Sequence, residues 1–423
     1  MIVYKFGGAS VKSSDGIRNI VKIVSGVNEN LFVVVSAMGK TTNALEVVLE
    51  HFMKAERTEA LEKLQEIEKY HYDIIAELFQ DKTLGENAVK PLFTEMREFI
   101  AKGIGDDYDR WYDQLVSYGE VISTKIISAF LLETKVENTW LDMRQLLVTD
   151  SNFREANVNM LESEKRMKKT VDFNTSKIFI GQGFIGTNMQ GKPTTLGREG
   201  SDYTAAVVGN LLQADSVSIW KDVPGILNAD PRIFPHTVHI PELTYMDAVE
   251  LAYSGAQIIH PKTIKPLENK QIPLYVRPFG SPTQAGSVIK GQIDKPISVP
   301  VLILRRNQIL VTLRPLDFSF VLEESLTWIF TVIEKHRLKV SLIQSSAVSI
   351  SICVDNSRYL QAALDELAND FRVTYNEKLE LLTIRGTNPD IVKENTEHRE
   401  ILVQQLTRKI GRFVMREEKV VNH

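Results

Sequence analysis

Through its first 290 residues the chain alternates short apolar runs with longer stretches whose apolar residues recur every three or four positions. The runs at 31–35, 178–180, 217–220 and 272–276 are rich in β-branched and aromatic residues, and each gives way to Gly, Ser, Asp or Pro. That pattern predicts buried strands closed by turns. Strands of this kind, separated by helical patterns, imply an α/β fold, an open and mainly parallel sheet covered by helices on both faces. In such sheets ligands gather at the carboxyl ends of the strands. Between about 44 and 102 the pattern is charged and helical, so this insertion is either a layer with one solvated face or a cap over a site.

The periodicity breaks at Gly291-Gln292-Ile293-Asp294-Lys295-Pro296-Ile297-Ser298-Val299-Pro300, where two prolines and a glycine oppose both helix and central strand. A boundary there gives a first domain over 1–295. Beyond it the pattern predicts a strand at 309–313, a helix at 323–336, strands at 340–343 and 349–354, and a helix at 359–371. This βαββα order is that of a ferredoxin-like α+β module, placed over 300–378. A strand at 381–384, a helix near 394–410 and a strand at 413–415 make a shortened second module over 379–423.

Composition narrows the function. A chain of 423 residues exceeds one ordinary core. Its formal charge of −4, with no block of five like charges, gives no footprint for nucleic acid or an anionic membrane and favours a small-molecule partner. The one cysteine, Cys353, lies in an apolar run and reads as an inert core thiol. The start Met1-Ile2-Val3-Tyr4-Lys5 reads as a strand rather than a signal peptide, and no run of about 18 apolar residues occurs, so a cytoplasmic protein is expected.

Four strings carry chemistry. Lys5-Phe6-Gly7-Gly8-Ala9-Ser10 follows the opening strand; glycines let backbone amides approach an anion, and a lysine supplies a point charge to phosphates, although a tight turn accounts for the glycine pair alone. No Gly-Lys-Ser/Thr ending makes it a Walker loop. Ser36-Ala37-Met38-Gly39-Lys40-Thr41-Thr42-Asn43 offers hydroxyls at a second strand end, for phosphate, for substrate, or for a helix cap. In Thr194-Thr195-Leu196-Gly197-Arg198-Glu199-Gly200-Ser201-Asp202-Tyr203, Ser201 and Asp202 are expected to cap a helix, and Arg198 to clamp a carboxylate through two parallel hydrogen bonds. Trp220-Lys221-Asp222-Val223-Pro224-Gly225-Ile226-Leu227-Asn228-Ala229-Asp230-Pro231-Arg232 offers nucleotide contacts or a pair of surface turns.

In this order, and with Leu251-Ala252-Tyr253-Ser254-Gly255-Ala256 through His260-Pro261, the strings resemble the aspartokinase family of amino-acid kinases over nearly the whole chain. The resemblance implies transfer of the γ-phosphate of ATP, carried with Mg2+, to the side-chain carboxylate of L-aspartate. An acceptor already ionised at neutral pH needs no general base, only positioning and charge neutralisation. Catalysis falls to Lys5, with Asp202 orienting it. Substrate contacts fall to Arg198, Ser201, Thr42 and Glu120, the last receiving the α-ammonium. Nucleotide contacts fall to Lys5, Gly7, Gly8, Ser36, Lys221, Asp222, Leu227, Asp230, Arg232 and Gln257. The metal has no direct protein ligand in this reading.

Several positions depart from the family pattern. Ala9 stands where threonine is usual, Glu199 where glycine is, Lys221 where threonine is, Leu227 where an aromatic is frequent, and Gln257 where a lysine meets the nucleotide. Charge absent at Gln257 is regained at Lys221 in this reading. The region after about 300 resembles the family's ACT regulatory modules, which implies a homodimer. Expected acids near Ser341 and Ala347 are missing, and Glu323-Glu324-Ser325-Leu326 replaces small residues, so the resemblance names no effector.

Overall fold

The computed structural model describes residues 1–102, 107–256, 259–317, 320–321 and 323–417. In chain order the elements are β1 (Ile2–Phe6), α1 (Ser14–Ser25), β2 (Leu31–Val35), α2 (Thr41–Met53), α3 (Arg57–Leu78), α4 (Lys82–Lys102), α5 (Tyr108–Val116), α6 (Tyr118–Glu133), β3 (Thr139–Trp140), α7 (Met143–Leu146) and β4 (Val148–Thr149). There follow α8 (Met160–Thr170), β5 (Ile178–Gln182), β6 (Ile185–Asn188), β7 (Pro193–Thr195), α9 (Gly200–Leu211), β8 (Ser216–Lys221), β9 (Ile226–Leu227), β10 (His239–Ile240), β11 (Glu242–Thr244), α10 (Tyr245–Tyr253), α11 (Pro261–Glu268), β12 (Leu274–Pro278) and β13 (Ser287–Lys290). The last are β14 (Val301–Pro315), α12 (Glu323–Lys335), β15 (Val340–Ser345), β16 (Ile350–Asp355), α13 (Leu360–Leu367), β17 (Phe371–Arg385), α14 (Pro389–Thr396), β18 (Ile401–Leu406) and β19 (Ile410–Arg416).

These form two units. The first is Met1–Ile226, His239–Val249 and Gln257–Pro296; the second is Leu227–Val238, Glu250–Ala256 and Ile297–His423. The division after Pro296 falls within the Pro/Gly break of the sequence. The two short excursions into the second unit had no such signal. In that unit Phe234 packs with Leu302, Leu304, Ile384 and Phe413, so apolar burial rather than chain order decides where 227–238 belongs.

The first unit is built on an eight-stranded sheet in the order β11-β13-β12-β8-β1-β2-β5-β3. β1 lies between β2 and β8, parallel to both, with Lys5 level with Val34 and Ile219 and Phe6 level with Val35 and Trp220. β5 and β12 continue the parallel run outward, β13 turns antiparallel to β12, and β11 runs parallel to β13 at that edge. All five residues of β2 are buried, which is why that strand is apolar without alternation. The consequence for function is that β1, β2, β5, β8 and β12 end together at one edge.

The 44–102 insertion resolves into α2, α3 and α4, whose Leu45, Leu49, Leu64, Ile67, Val89, Phe93 and Met96 are committed to the same core as β1 and β2. It is a helical layer with a solvated charged face. The stretch Tyr108–Glu133 is long and apolar enough in composition to cross a membrane, yet most of it is buried inside the protein.

The second unit is a six-stranded antiparallel sheet, β15-β16-β14-β17-β19-β18. Its two long strands, β14 and β17, pair along most of their length. Residues of α12 and α13, among them Ile329, Val332, Leu360 and Leu364, pack on Ile309, Val311, Ile350 and Ile352. Cys353 is fully buried on the other face, where burial pushes its thiol up to about 12, beyond useful reactivity. One expectation fails here. The helix near 394–410 is instead α14, ending at Thr396, followed by the strand β18. His398 adopts a left-handed backbone (φ 64°) that ends helical continuity, and Ile401 to Leu406 pair antiparallel with β19.

Candidate active site

At the end of β1, Lys5 is 8% exposed and Asp202, in the first turn of α9, is 2% exposed. Lys5 Nζ lies 2.6 Å from Asp202 Oδ1. On the neighbouring strand β8, Lys221 Nζ lies 3.3 Å from Asp202 Oδ2. One buried carboxylate therefore holds two ammonium groups from the carboxyl ends of adjacent strands. Burial opposes ionisation of Asp202, but Lys5 and Lys221 together override it and hold the carboxyl below the usual carboxylate range. Burial likewise works against the Lys221 charge, and Asp202 with Glu199 raises its pKa instead. The group carries a net positive charge where the sheet opens, the charge needed beside a transferring phosphoryl group.

The glycines after β1 work through close approach. A Cβ on Gly8 would stand 2.9 Å from the Ala37 carbonyl and 3.0 Å from that of Gly39, so this turn lies against the loop after β2. The Gly39 N–H donates to the Gly8 carbonyl at 3.0 Å. Ser36, half-buried, is fixed from behind by the Ser123 hydroxyl, which donates to its carbonyl at 2.8 Å. Thr42 is half-buried in the first turn of α2.

Glu120 opens α6 and is 2% exposed. Burial pushes its carboxyl up to about 8, against the Ala37 N–H that donates to it and the nearby Lys5 charge. Its Oε2 has no hydrogen-bond partner. A buried carboxyl with an unsatisfied oxygen is an acceptor still lacking a donor, and a cationic group would supply one.

The start of α9 differs from expectation. Ser201 and Asp202 do not cap the helix; the N-cap is Glu199, in a left-handed conformation (φ 54°), and the helix begins at Gly200. Ser and Asp favour N-caps, but here the backbone reverses two residues earlier, and their buried side chains lie within the first turn. The left-handed geometry is the physical reason a glycine suits position 199. Glu199 offsets its strain with its carboxylate, which accepts the His260 N–H at 2.8 Å. Arg198 is exposed on the turn, with no carboxylate partner among the described residues.

Of the remaining expected nucleotide residues, Asp222 is exposed just after β8. Leu227, Asp230 and Arg232 belong to the second unit, where the Arg232 guanidinium closes on Asp230 through two side-chain hydrogen bonds at 3.0 and 2.7 Å. Gln257 lies outside the described residues. Among those residues no three His, Cys, Asp or Glu side chains converge as a metal-binding group, and both Asp202 oxygens face ammonium groups.

Two contributors escaped the sequence reading. A Cβ on Gly183, just after β5, would stand 2.4 Å from the Ser201 Cβ, so only glycine lets the start of α9 seat against the sheet. Its signal was visible in Gly181-Gln182-Gly183-Phe184 at a strand end; its partner was not. Asp113, in α5, is fully buried and accepts three hydrogen bonds from residues of β7 and the 150–157 loop.

A mainly parallel sheet with glycine turns and a Lys–Asp–Lys group at its carboxyl edge is an arrangement suited to phosphoryl transfer. The amino acid kinase family model matches residues 1–278, and the chain belongs to that family. It is 32% identical over 403 residues to the lysine-sensitive aspartokinase 3 of Escherichia coli strain K12, covering 92% of this chain and 87% of that one. It is 30% identical to the chloroplastic aspartokinase 1 of Arabidopsis thaliana, over 95% of this chain and 72% of that one. The crystal structure of E. coli aspartokinase III in complex with aspartate and ADP superposes with a TM-score of 0.86, at 30% identity, over 98% of this chain and 96% of that one. Within the amino acid kinases, this chain is an aspartokinase.

Proposed function

We propose that the Lys5–Asp202–Lys221 group carries out the aspartate kinase reaction. The γ-phosphoryl group of ATP moves to the side-chain carboxylate of L-aspartate, giving 4-phospho-L-aspartate and ADP, the first step towards lysine, threonine and methionine. An acceptor oxygen forms the new bond to phosphorus while the bond to the bridging oxygen of ADP breaks. No proton changes hands, so the protein's task is alignment and neutralisation of charge. Lys5 meets the transferring group, and Asp202 fixes the Lys5 ammonium in place. Lys221, from the adjacent strand, adds a second cation on the nucleotide side, with Gly7, Gly8 and Ser36 along the phosphates. Mg2+ bound to the ATP phosphates supplies further neutralisation.

Arg198 clamps the substrate α-carboxylate, Ser201 and Thr42 assist, and Glu120 receives the α-ammonium. Asp222, Leu227, Asp230 and Arg232 are assigned to the nucleotide. The observation that carries this reading is the buried 2.6 Å pair of Lys5 and Asp202, because a lysine so placed at a glycine turn has no structural need of burial. The relative crystallised with aspartate and ADP supports the choice of acceptor. The test is hydroxamate trapping of the acyl phosphate with ATP and aspartate, glutamate or acetylglutamate in turn. Product with aspartate, lost by about a thousandfold or more in Lys5→Ala, is expected; no product with aspartate overturns the reading. The family likeness also carries a homodimer joined through the sheet of the second unit, which light scattering of the purified chain checks.

A further inference from the structure

Asp113 is a buried carboxylate that the reaction does not use. Its Oδ2 accepts the Thr195 N–H at 2.8 Å and the Arg154 N–H at 3.0 Å, and its Oδ1 accepts the Thr195 hydroxyl at 2.6 Å. Thr195 ends β7, and its carbonyl accepts the Ala156 N–H at 2.9 Å. The 150–157 loop is thereby laced to β7 immediately before the turn that carries Arg198. A Cβ on Gly197 would stand 3.1 Å from the Arg154 carbonyl, so turn and loop are in close contact. Arg154 itself has a left-handed backbone (φ 69°), a conformation costly for a non-glycine residue unless its surroundings hold it. Its guanidinium stacks 4.3 Å above the Tyr112 ring and pairs with Asp109 and Glu46.

We propose that Asp113 is a positioning residue for the amino-acid substrate, holding Thr195 and Arg154 so that the 197–200 turn presents Arg198 and Ser201 to the α-carboxylate. The inference rests on the assignment of those two residues to aspartate in the proposed function. Asp113 ties together the two chain segments that carry that subsite: α5 leads within four residues to Glu120, and β7 leads within three to Arg198. Two backbone N–H groups and a hydroxyl on one carboxyl fix its orientation, and with it that of Thr195 and Arg154. Burial pushes the Asp113 carboxyl up to about 6, against the Thr195 and Arg154 donors and the Arg154 charge. Arg154 is the charged group that acts on it; Glu46 and Asp109 pair with Arg154, and Tyr112 lies beside Asp113 on its own helix.

The test separates positioning from mere stability. Asp113→Ala is expected to raise KM for aspartate by about ten- to a hundredfold, with kcat and KM for ATP within about threefold of wild type. Asp113→Asn rescues most of this, because its carbonyl keeps the two N–H contacts while its NH2 donates to the Thr195 hydroxyl. If Asp113→Ala does not fold, Thr195→Val, which removes only the hydroxyl donor, is expected to raise KM for aspartate severalfold. An active wild type whose Asp113→Ala or Thr195→Val variant keeps its KM, or an Asp113→Asn variant as impaired as Asp113→Ala, overturns the inference. A wild type inactive with aspartate overturns the functional reading instead.

Discussion

Aspartate binding should release a proton, and Glu120 is its source. Burial raises this carboxyl from 4.5 to about 8, so ionising it in the empty site costs about 5 kcal/mol more than in water. At pH 7 about nine in ten Glu120 side chains are then neutral before substrate arrives. The α-ammonium of aspartate favours the carboxylate, lowers its pKa and expels the proton. Calorimetric titration with aspartate in buffers of different ionisation enthalpy is expected to show release of about 0.9 proton per site at pH 7, falling to about half at pH 8. KM for aspartate should fall about tenfold from pH 6.2 to 7.2 and level off above 8. Glu120→Gln removes both effects and raises KM on the order of tenfold to a hundredfold, as expected for loss of a hydrogen bond to a charged group. The same shift has a stability sign. A raised folded-state pKa favours folding at low pH and loses that contribution as pH rises from 4.5 to 8, so Glu120→Gln should raise the Tm of the ligand-free protein, and more at pH 8 than at pH 6. Proton release below about 0.2 in wild type, or an unchanged pH profile in Glu120→Gln, would refute the reasoning.

Three further outcomes follow from the same geometry. Gly183→Ala places a Cβ 2.4 Å from the Ser201 Cβ, and should lower kcat/KM for aspartate by about tenfold or more together with Tm; steady-state kinetics and calorimetry on one preparation check both. Lys221→Thr leaves Asp202 with Lys5 alone and should raise KM for ATP about tenfold, an expectation that fails if that KM does not move. Asp202→Asn keeps the shape but leaves Lys5 and Lys221 without their shared anion, and should cost about a hundredfold or more in kcat in the hydroxamate assay.

The strings at the ends of β1, β2 and β8 were legible because phosphate chemistry demands unusual residues in local order: a lysine before paired glycines, or hydroxyls after an apolar run. Asp202 stands where the sequence reading put it, beside Lys5. What was illegible lies in pairings across the chain. Asp113 sits in Tyr112-Asp113-Gln114, which any amphipathic helix could present to solvent, and its partner Thr195 is 82 positions away. Gly183 was visible as a glycine but not as the seat of Ser201. The misread cap at Ser201 and Asp202 followed local propensity, which the reversal at Glu199 overrides. The helix drawn through 394–410 followed the charged residues before Ile401 and missed that the next six residues complete a sheet edge.

Position 199 shows why a departure from a family pattern is informative once the backbone is known. A glycine there would reach φ 54° without strain; glutamate pays on the order of 1 kcal/mol for it. It is compensated twice, by the His260 N–H on its carboxylate and by the charge it lends to Lys221. Lys221 in turn departs from the usual threonine and leans on Asp202. The two exceptions therefore belong to one electrostatic arrangement, in which an added anion supports an added cation beside the buried Lys5–Asp202 pair. Glu199→Gly relieves backbone strain yet strips Lys221 of a counter-charge, so in thermal unfolding it should lower Tm more, or raise it less, in wild type than in the Lys221→Thr background; equal shifts in both would show that the two positions are uncoupled.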